Sequence, residues 1–228
     1  MKERKTNPPI LIQACAKWFM GVLLAGAALF LPAGTLNFWK AWLLVAVLFL
    51  PMLPVGIVLW IKAPALLARR LQGMETRPEQ RRIVLLSFLM FACGFVVAGL
   101  DFRYGWSRLP GWVSVAFAIV FLFSYGLYAE VLRENAYASR TIEVQAGQKL
   151  MDTGLYGQIR HPMYLASVLL FLSMPLICGS VCAFVVFLLY PPLIVRRIQH
   201  EEAVLKSELA GYEEYMRRVR FRLLPFLW

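Results

Sequence analysis

Residues 154–202 read GLYGQIRHPMYLASVLLFLSMPLICGSVCAFVVFLLYPPLIVRRIQHEE. Two apolar runs, residues 163–177 and 181–195, lie inside this stretch, and a polar, charged cluster stands at each end of it. Such runs predict two membrane helices that are short for full spans, and that tilt, extend into neighbouring polar residues, or form a tight hairpin at residues 178–180. Charged groups at the mouth of a membrane helix are costly and therefore indicate function. Because the two clusters bracket one hairpin, we expect them to form a single site at a membrane surface.

The whole chain has the composition of a membrane protein. Of its 228 residues, 60% are hydrophobic, whereas apolar residues make up about half of a soluble domain. The excess is concentrated in six apolar runs, which are residues 11–31, 38–61, 83–100, 110–132, 163–177 and 181–195. These runs lack the polar face that helices of a soluble bundle need. The sequence therefore predicts an all-α, polytopic transmembrane bundle of about six spans, of which the last two are short.

The positive charge follows the pattern that sets membrane topology. The formal net charge is +11, and twenty of the 24 Lys and Arg residues fall on one side if both termini lie in the cytoplasm. Lys40, Arg103 and Arg108 fall on the other side. This asymmetry indicates contact with anionic lipid headgroups and argues against a nucleic-acid partner. We expect an integral protein of the bacterial inner membrane with both termini cytoplasmic.

The sequence carries no signature of a metal centre or of a soluble-type nucleotide fold. Only two histidines are present, no thiolate lies near either, and no Cys-x-x-Cys pair occurs. A phosphate loop and a Gly-x-Gly-x-x-Gly turn are absent as well. We therefore expect no metal. The four cysteines lie in or beside apolar runs, where packing is their expected role.

Polar chemistry is concentrated in the second half of the chain. We divide the sequence into N-terminal transmembrane helices over residues 1–132 and a catalytic and cofactor-binding region over residues 133–228. Pro162 suits the first turn of a helix, which places Arg160 and His161 at a helix N-terminus, where anions are favoured. This region is expected to form a cytoplasm-facing site.

The second charged cluster, residues 196–202, has two interpretations. Arg197 and Glu201 are four residues apart, a spacing that also occurs in ordinary surface pairs on helices. The adjacent carboxylates of Glu201 and Glu202 can bind a hydroxylated or cationic ligand, but they also occur as simple solvated charge. The spacing alone does not decide between these alternatives.

Three blocks in the second half together resemble a known family. They are Gly154-Leu155-Tyr156-x-x-x-Arg160-His161-Pro162-x-Tyr164, then Arg196-x-x-x-x-Glu201-Glu202, then Tyr212-x-x-Tyr215-x-x-x-Val219. In this order and at these separations they resemble the isoprenylcysteine carboxyl methyltransferase superfamily of membrane enzymes, and the match covers about residues 130–228. Upstream, the segments 134–139 and 147–149 resemble its bacterial branch. Ala210-Gly211 stands closer to Tyr212 than the corresponding Phe-Gly of the eukaryotic enzymes does. Membrane sterol reductases and steroid 5α-reductases, which use a nicotinamide cofactor, share similar patterns.

The resemblance implies methyl transfer from S-adenosylmethionine to a lipophilic acceptor, such as an isoprenylcysteine-type carboxylate. Carried over residue by residue, it assigns the cofactor pocket to Gln148, Leu150, Gly154, Tyr156, His161, Pro162, Tyr164, Glu201 and Glu202. It assigns catalytic roles to Arg196, which would hold the acceptor, and to Glu201. An amine acceptor would need desolvation or a base, and either Glu201 or Glu202 could serve as that base. A lipid or prenylated small molecule would enter from the bilayer. Two alternatives remain: a nicotinamide-dependent membrane reductase of a lipid double bond, and a non-catalytic membrane scaffold.

Overall fold

A computed structural model describes residues 8–72, 78–135 and 147–228, together with the single residues 137 and 144. The described residues form α-helices and one short 3₁₀ turn, Gly154–Gly157, with no strand among them. The helices are α1 (Pro8–Ala33), α2 (Trp39–Phe49), α3 (Met52–Lys62), α4 (Pro64–Gln72), α5 (Pro78–Tyr104), α6 (Gly111–Glu134), α7 (Pro162–Ile177), α8 (Val181–Phe187), α9 (Tyr190–Glu208) and α10 (Tyr212–Arg218). The predicted all-α bundle is confirmed.

Five helical stretches are long and apolar enough to cross a bilayer. They are Ile10–Ala33, Trp39–Lys62, Gln80–Tyr104, Gly111–Glu134 and Val181–Glu208. Large apolar side chains on them point outward, among them Leu23, Ile119 and Phe123, each more than 60% exposed. Outward apolar surface of this extent suits lipid contact. The fold is that of an integral membrane protein.

The fifth predicted span, residues 163–177, corresponds to α7, the inner helix of the bundle. α7 has 16 residues, so it is about 24 Å long and shorter than the hydrocarbon core. It packs most extensively against α6 and also contacts α2, α5, α8 and α9. Nine of its residues are buried. Because α7 is surrounded by other helices, its apolar character reflects burial in protein more than exposure to lipid.

Two predicted spans are interrupted helices. The second divides into α2 and α3 at Leu50 and Pro51, because a proline lacks the N–H that would continue the helix. The last divides at Leu188 and Leu189, after which α9 runs on to Glu208, well beyond the predicted end at residue 195. This extension carries the charged cluster of residues 196–202 on a regular helix.

The connections between helices meet at two opposite ends of the bundle. Residues 34–38, 105–110 and 178–180 meet at the end that we call the far end, where Lys40 Nζ donates to Leu109 O at 2.7 Å and Val181 N donates to Ser107 Oγ at 3.0 Å. The start of α7, the second half of α9, and α10 meet at the end that we call the site end. Both predicted charged clusters lie at the site end.

Candidate functional site

A cavity of about 820 Å³ opens at the site end. Its walls come from the first turn of α7, the later turns of α9, α10, and residues 148–151. This volume includes space that is open to solvent. The lining residues are Asn135, Tyr137, Gln148, Lys149, Leu150, Met151, Tyr156, Arg160, His161, Met163, Tyr164, Glu201, Val204, Leu205, Leu209, Tyr212 and Tyr215.

Six of the residues that the resemblance assigned to the cofactor line this cavity together. They are Gln148, Leu150, Tyr156, His161, Tyr164 and Glu201. They come from three separate parts of the sequence and meet because α7 and α9 pack side by side. The ligand that they bind remains a prediction.

A hydrogen-bond chain fixes the Glu201 carboxylate at the cavity wall. Tyr164 Oη donates to Glu201 Oε2, and Arg197 Nε donates to Tyr164 Oη at 3.0 Å. Arg197 Nη1 in turn donates to Gln80 Oε1 at 3.2 Å. Gln80 is 1% exposed, and its Nε2 lies 3.1 Å from His200 Nδ1. The orientation of Glu201 therefore depends on a side chain of α5.

Glu202 lies next to Glu201 but faces a different neighbourhood, because successive helix residues point about 100° apart. Its carboxylate is 3% exposed and accepts bonds from Arg160 Nε at 2.7 Å and from Arg222 Nε at 2.9 Å. His161 Nε2 lies 3.2 Å from Glu202 Oε1. Glu202 is not among the cavity-lining residues. Glu202 links the start of α7 and the segment after α10 to α9, and so stabilises the cavity wall without contacting the cavity.

Arg160 also connects the start of α7 to the segment after α10. Its Nη1 donates to the carbonyls of Val219 at 2.8 Å and of Arg220 at 2.9 Å, and its backbone N–H donates to Phe221 O at 2.9 Å. The Glu202 charge is thus paired and hydrogen-bonded, as a buried charge must be. Arg160 and His161 of the first motif therefore position the C-terminal segment. The imidazole of His161 also lines the cavity.

Gly154 and Pro162 shape the backbone beside the cavity and do not line it. Gly154 has φ +55°, and a Cβ on it would lie 1.8 Å from Glu134 Oε1. The Glu134 carboxylate accepts a hydrogen bond from Leu155 N at 3.1 Å. Pro162 is buried at the first turn of α7, where its missing N–H costs nothing.

Arg196 is exposed and lies outside the cavity lining, whereas its neighbour Arg197 contacts Tyr164. The predicted contact of Arg196 with an acceptor remains a prediction. The sequence pattern predicts no more than a surface pair for Arg197 and no role for Gln80. The four-residue spacing of Arg197 and Glu201 is the one sequence signal that could have indicated that Arg197 belongs to the site.

Five tyrosines line the cavity, which are Tyr137, Tyr156, Tyr164, Tyr212 and Tyr215. Tyr156 Oη accepts from Asn135 Nδ2 at 3.0 Å, and the Tyr156 carbonyl accepts from Tyr215 Oη at 2.8 Å. Burial raises the pKa of Tyr156 to about 12 and that of Tyr212 further, so both phenols are neutral near pH 7. Tyr212 Oη is buried and has no hydrogen-bond partner among the described residues. A buried hydroxyl without a partner is costly, and a bound ligand would supply one.

The charges of the lining are mixed. Glu201 is the one carboxylate among the described lining residues, and Lys149 is a cation of the lining. Arg160 also lines the cavity, and its guanidinium is paired with Glu202. The site therefore suits a ligand that carries both a cationic and an anionic group and has a planar or apolar part. No group of three or more His, Cys, Asp or Glu side chains in the described part of the chain could hold a metal ion.

A known protein family matches most of the segment that forms this site. Residues 114–207 match the isoprenylcysteine carboxyl methyltransferase (ICMT) family. The chain is also 30% identical over 91 residues to "Delta(14)-sterol reductase TM7SF2" of Mus musculus, a match that covers 39% of this chain and 22% of that protein. The chain thus spans about a fifth of the length of this curated relative. The family match includes α7 and nearly all of α6 and α9, so the similarity to the ICMT family covers most of the helices that form the walls of the cavity.

Proposed function

We propose that this protein is an integral membrane methyltransferase that moves a methyl group from S-adenosylmethionine to a lipophilic acceptor. The family match supports a membrane methyltransferase in general terms. The observation that carries the finer proposal is the convergence of six assigned residues on one cavity of about 820 Å³. We propose an isoprenylcysteine-type carboxylate as the acceptor.

The lining residues have the chemistry that this cofactor needs. S-adenosylmethionine joins a sulfonium cation, an amino acid group and an adenine ring, and when bound it supplies an electrophilic methyl group. Glu201 would face the cationic part of the cofactor. The rings of Tyr156 and Tyr212 offer neutral aromatic surface to a cation or a planar ring. The hydroxyl of Tyr212 would gain the partner that it lacks among the described residues.

The residues of the site would act mainly by positioning. Holding an acceptor in line with the cofactor can provide much of the acceleration of a displacement reaction. A carboxylate acceptor needs no general base, only a cation such as Arg196 to orient it. For an amine acceptor, Glu201 would accept the proton.

The experiment that tests this proposal is a screen for methyl incorporation. Membranes containing the protein would receive radiolabelled S-adenosylmethionine and, one at a time, membrane lipids and prenylcysteine analogues. We expect label in a lipophilic product and its loss in Glu201→Gln. Absence of label from every acceptor tested, with cofactor binding intact, would contradict the assigned acceptor class.

One specific observation favours a second candidate. The similarity to a sterol reductase suggests a nicotinamide-dependent reduction of a lipid double bond at the same cavity. Consumption of NADPH with a sterol or other unsaturated lipid would support it. The family match over residues 114–207 makes the methyltransferase our first choice.

A further inference from the structure

The far end of the bundle contains a second cavity, of about 550 Å³, which the proposed function does not use. It lies where the connections 105–110 and 178–180 meet the start of α2. Its walls include Trp39, Lys40, Asp101, Phe102, Arg108 and Ser180. The cavity lies at the opposite end of the bundle from the candidate cofactor pocket, with which it shares no lining residue.

Exposed aromatic side chains surround this cavity. Trp39, Trp42, Tyr104, Trp106 and Trp112 are each more than half exposed at this end of the bundle. Trp and Tyr concentrate at the level of lipid headgroups, because their rings are amphipathic. The cavity therefore opens at headgroup depth.

Three cations collect around this cavity. Lys40 and Arg108 line it, and the guanidinium of Arg103 lies at the same end, beside Gly34. Within the described ranges, none of the three forms an ion pair with a carboxylate. Lys40 Nζ is held in place by the carbonyl of Leu109 and lies against Gly179, where a Cβ would come within 2.5 Å of it.

Asp101, a carboxylate in the wall of this cavity, accepts hydrogen bonds from neighbouring serines. Asp101 is 1% exposed. Its oxygens accept hydrogen bonds from Ser107 N at 2.6 Å and Ser107 Oγ at 2.7 Å, and from Ser180 Oγ. Two cations, Lys40 and Arg108, and one carboxylate are thus found among the lining residues, which gives the cavity a positive balance of charge.

We propose that the far-end cavity binds the phosphate headgroup of an anionic glycerophospholipid. Lys40 and Arg108 contact the phosphate oxygens, since Lys and Arg are the side chains that pair with phosphate. Trp39 and Phe102 pack against the glycerol and ester region. Such a lipid bridges the start of α2, the end of α5 and the α7–α8 connection, and so stabilises the end of the bundle opposite the proposed active site.

Native mass spectrometry of the full chain, purified in detergent and depleted of lipid, tests this proposal. The protein is titrated with phosphatidylglycerol and, in parallel, with zwitterionic phosphatidylcholine. The variant is Arg108→Gln, whose exposed side chain is not a partner in any hydrogen bond of the described residues. The matched control is Arg133→Gln, an exposed cation at the site end that pairs with Glu130.

We expect the wild type to hold phosphatidylglycerol more tightly than phosphatidylcholine. Arg108→Gln should weaken phosphatidylglycerol binding about fivefold, as expected for one surface cation, should weaken phosphatidylcholine binding less, because the choline cation offsets the phosphate charge, and should leave the melting temperature in phosphatidylcholine unchanged. Arg133→Gln should keep the preference. Equal affinity of the wild type for the two lipids, or equal effects of the two variants, would overturn the proposal. Displacement of the lipid by inorganic phosphate alone would also overturn it, because it would indicate a site for a free anion.

Discussion

At the residue scale, Glu201 and Glu202 are adjacent carboxylates with separable roles. Glu201 lines the cavity and is half-exposed, so its loss should affect a ligand more than the fold. We expect Glu201→Gln to weaken S-adenosylhomocysteine binding by about tenfold or more, the effect of a lost charge-assisted hydrogen bond. Its melting temperature should stay near that of the wild type. Calorimetry and thermal unfolding of the same preparation measure both quantities.

Glu202→Ala should have the opposite effect. It leaves the buried guanidinium of Arg160 without its carboxylate, and removing one partner of a buried ion pair costs about 3–5 kcal/mol. We expect a large fall in melting temperature in detergent. A Glu202→Ala protein that melts like the wild type but no longer binds the cofactor would instead make Glu202 a ligand-binding residue.

The two neighbouring arginines give a second comparison. If Arg196 orients the acceptor as predicted, Arg196→Ala should lower turnover far more than it lowers cofactor affinity, and Lys at this position should rescue poorly. Arg197→Ala should lower cofactor affinity, because Arg197 holds the Tyr164 hydroxyl that bonds to Glu201. Measurement of kcat and of the cofactor Kd for both variants distinguishes a loss of turnover from a loss of cofactor affinity. A wild-type turnover in Arg196→Ala would contradict the predicted role of Arg196.

At the element scale, the 3₁₀ turn depends on the absence of a side chain at residue 154. Gly154→Ala should destabilise the protein by about 1–2 kcal/mol through its positive φ alone, and by more through the clash with Glu134. Adding Glu134→Ala should relieve the clash but not the φ strain, so the double variant should recover part of the loss. Thermal unfolding of the wild type, the two single variants and the double variant measures the coupling energy between residues 134 and 154. Strict additivity would show that the two residues do not interact.

The helices themselves show what sequence could and could not predict. The apolar runs predicted the helices because membrane spans require long apolar stretches. His161, Tyr164 and Glu201, which the motifs assign to the cofactor, line one cavity, and their role in binding the cofactor stays a prediction. The rotation of α9 was not predicted. Pro191 and Pro192 mark the new start of α9 at Tyr190, but they do not determine which face of the helix turns toward α7. Which of Arg196 and Arg197 faces inward depends on that rotation. Gln80 was missed because its partners lie more than a hundred residues away.

At the scale of the whole molecule, the two ends should differ in exposure across the membrane. In a variant without native cysteines, we expect an introduced Arg133→Cys to be labelled only from the cytoplasmic side and Thr35→Cys only from the outside. The reason is the uneven distribution of Lys and Arg between the two ends. Labelling of Arg133→Cys from the outside alone would reverse the proposed orientation of the site.

The central claim is that the site-end cavity binds S-adenosylmethionine, and calorimetry of the purified chain tests it most directly. S-adenosylhomocysteine and NADPH would each be titrated into the wild type and into Glu201→Gln. We predict saturable binding of S-adenosylhomocysteine to the wild type, weaker binding to the variant, and no binding of NADPH to either protein. Saturable NADPH binding without S-adenosylhomocysteine binding, or identical S-adenosylhomocysteine binding by the two proteins, would contradict this account.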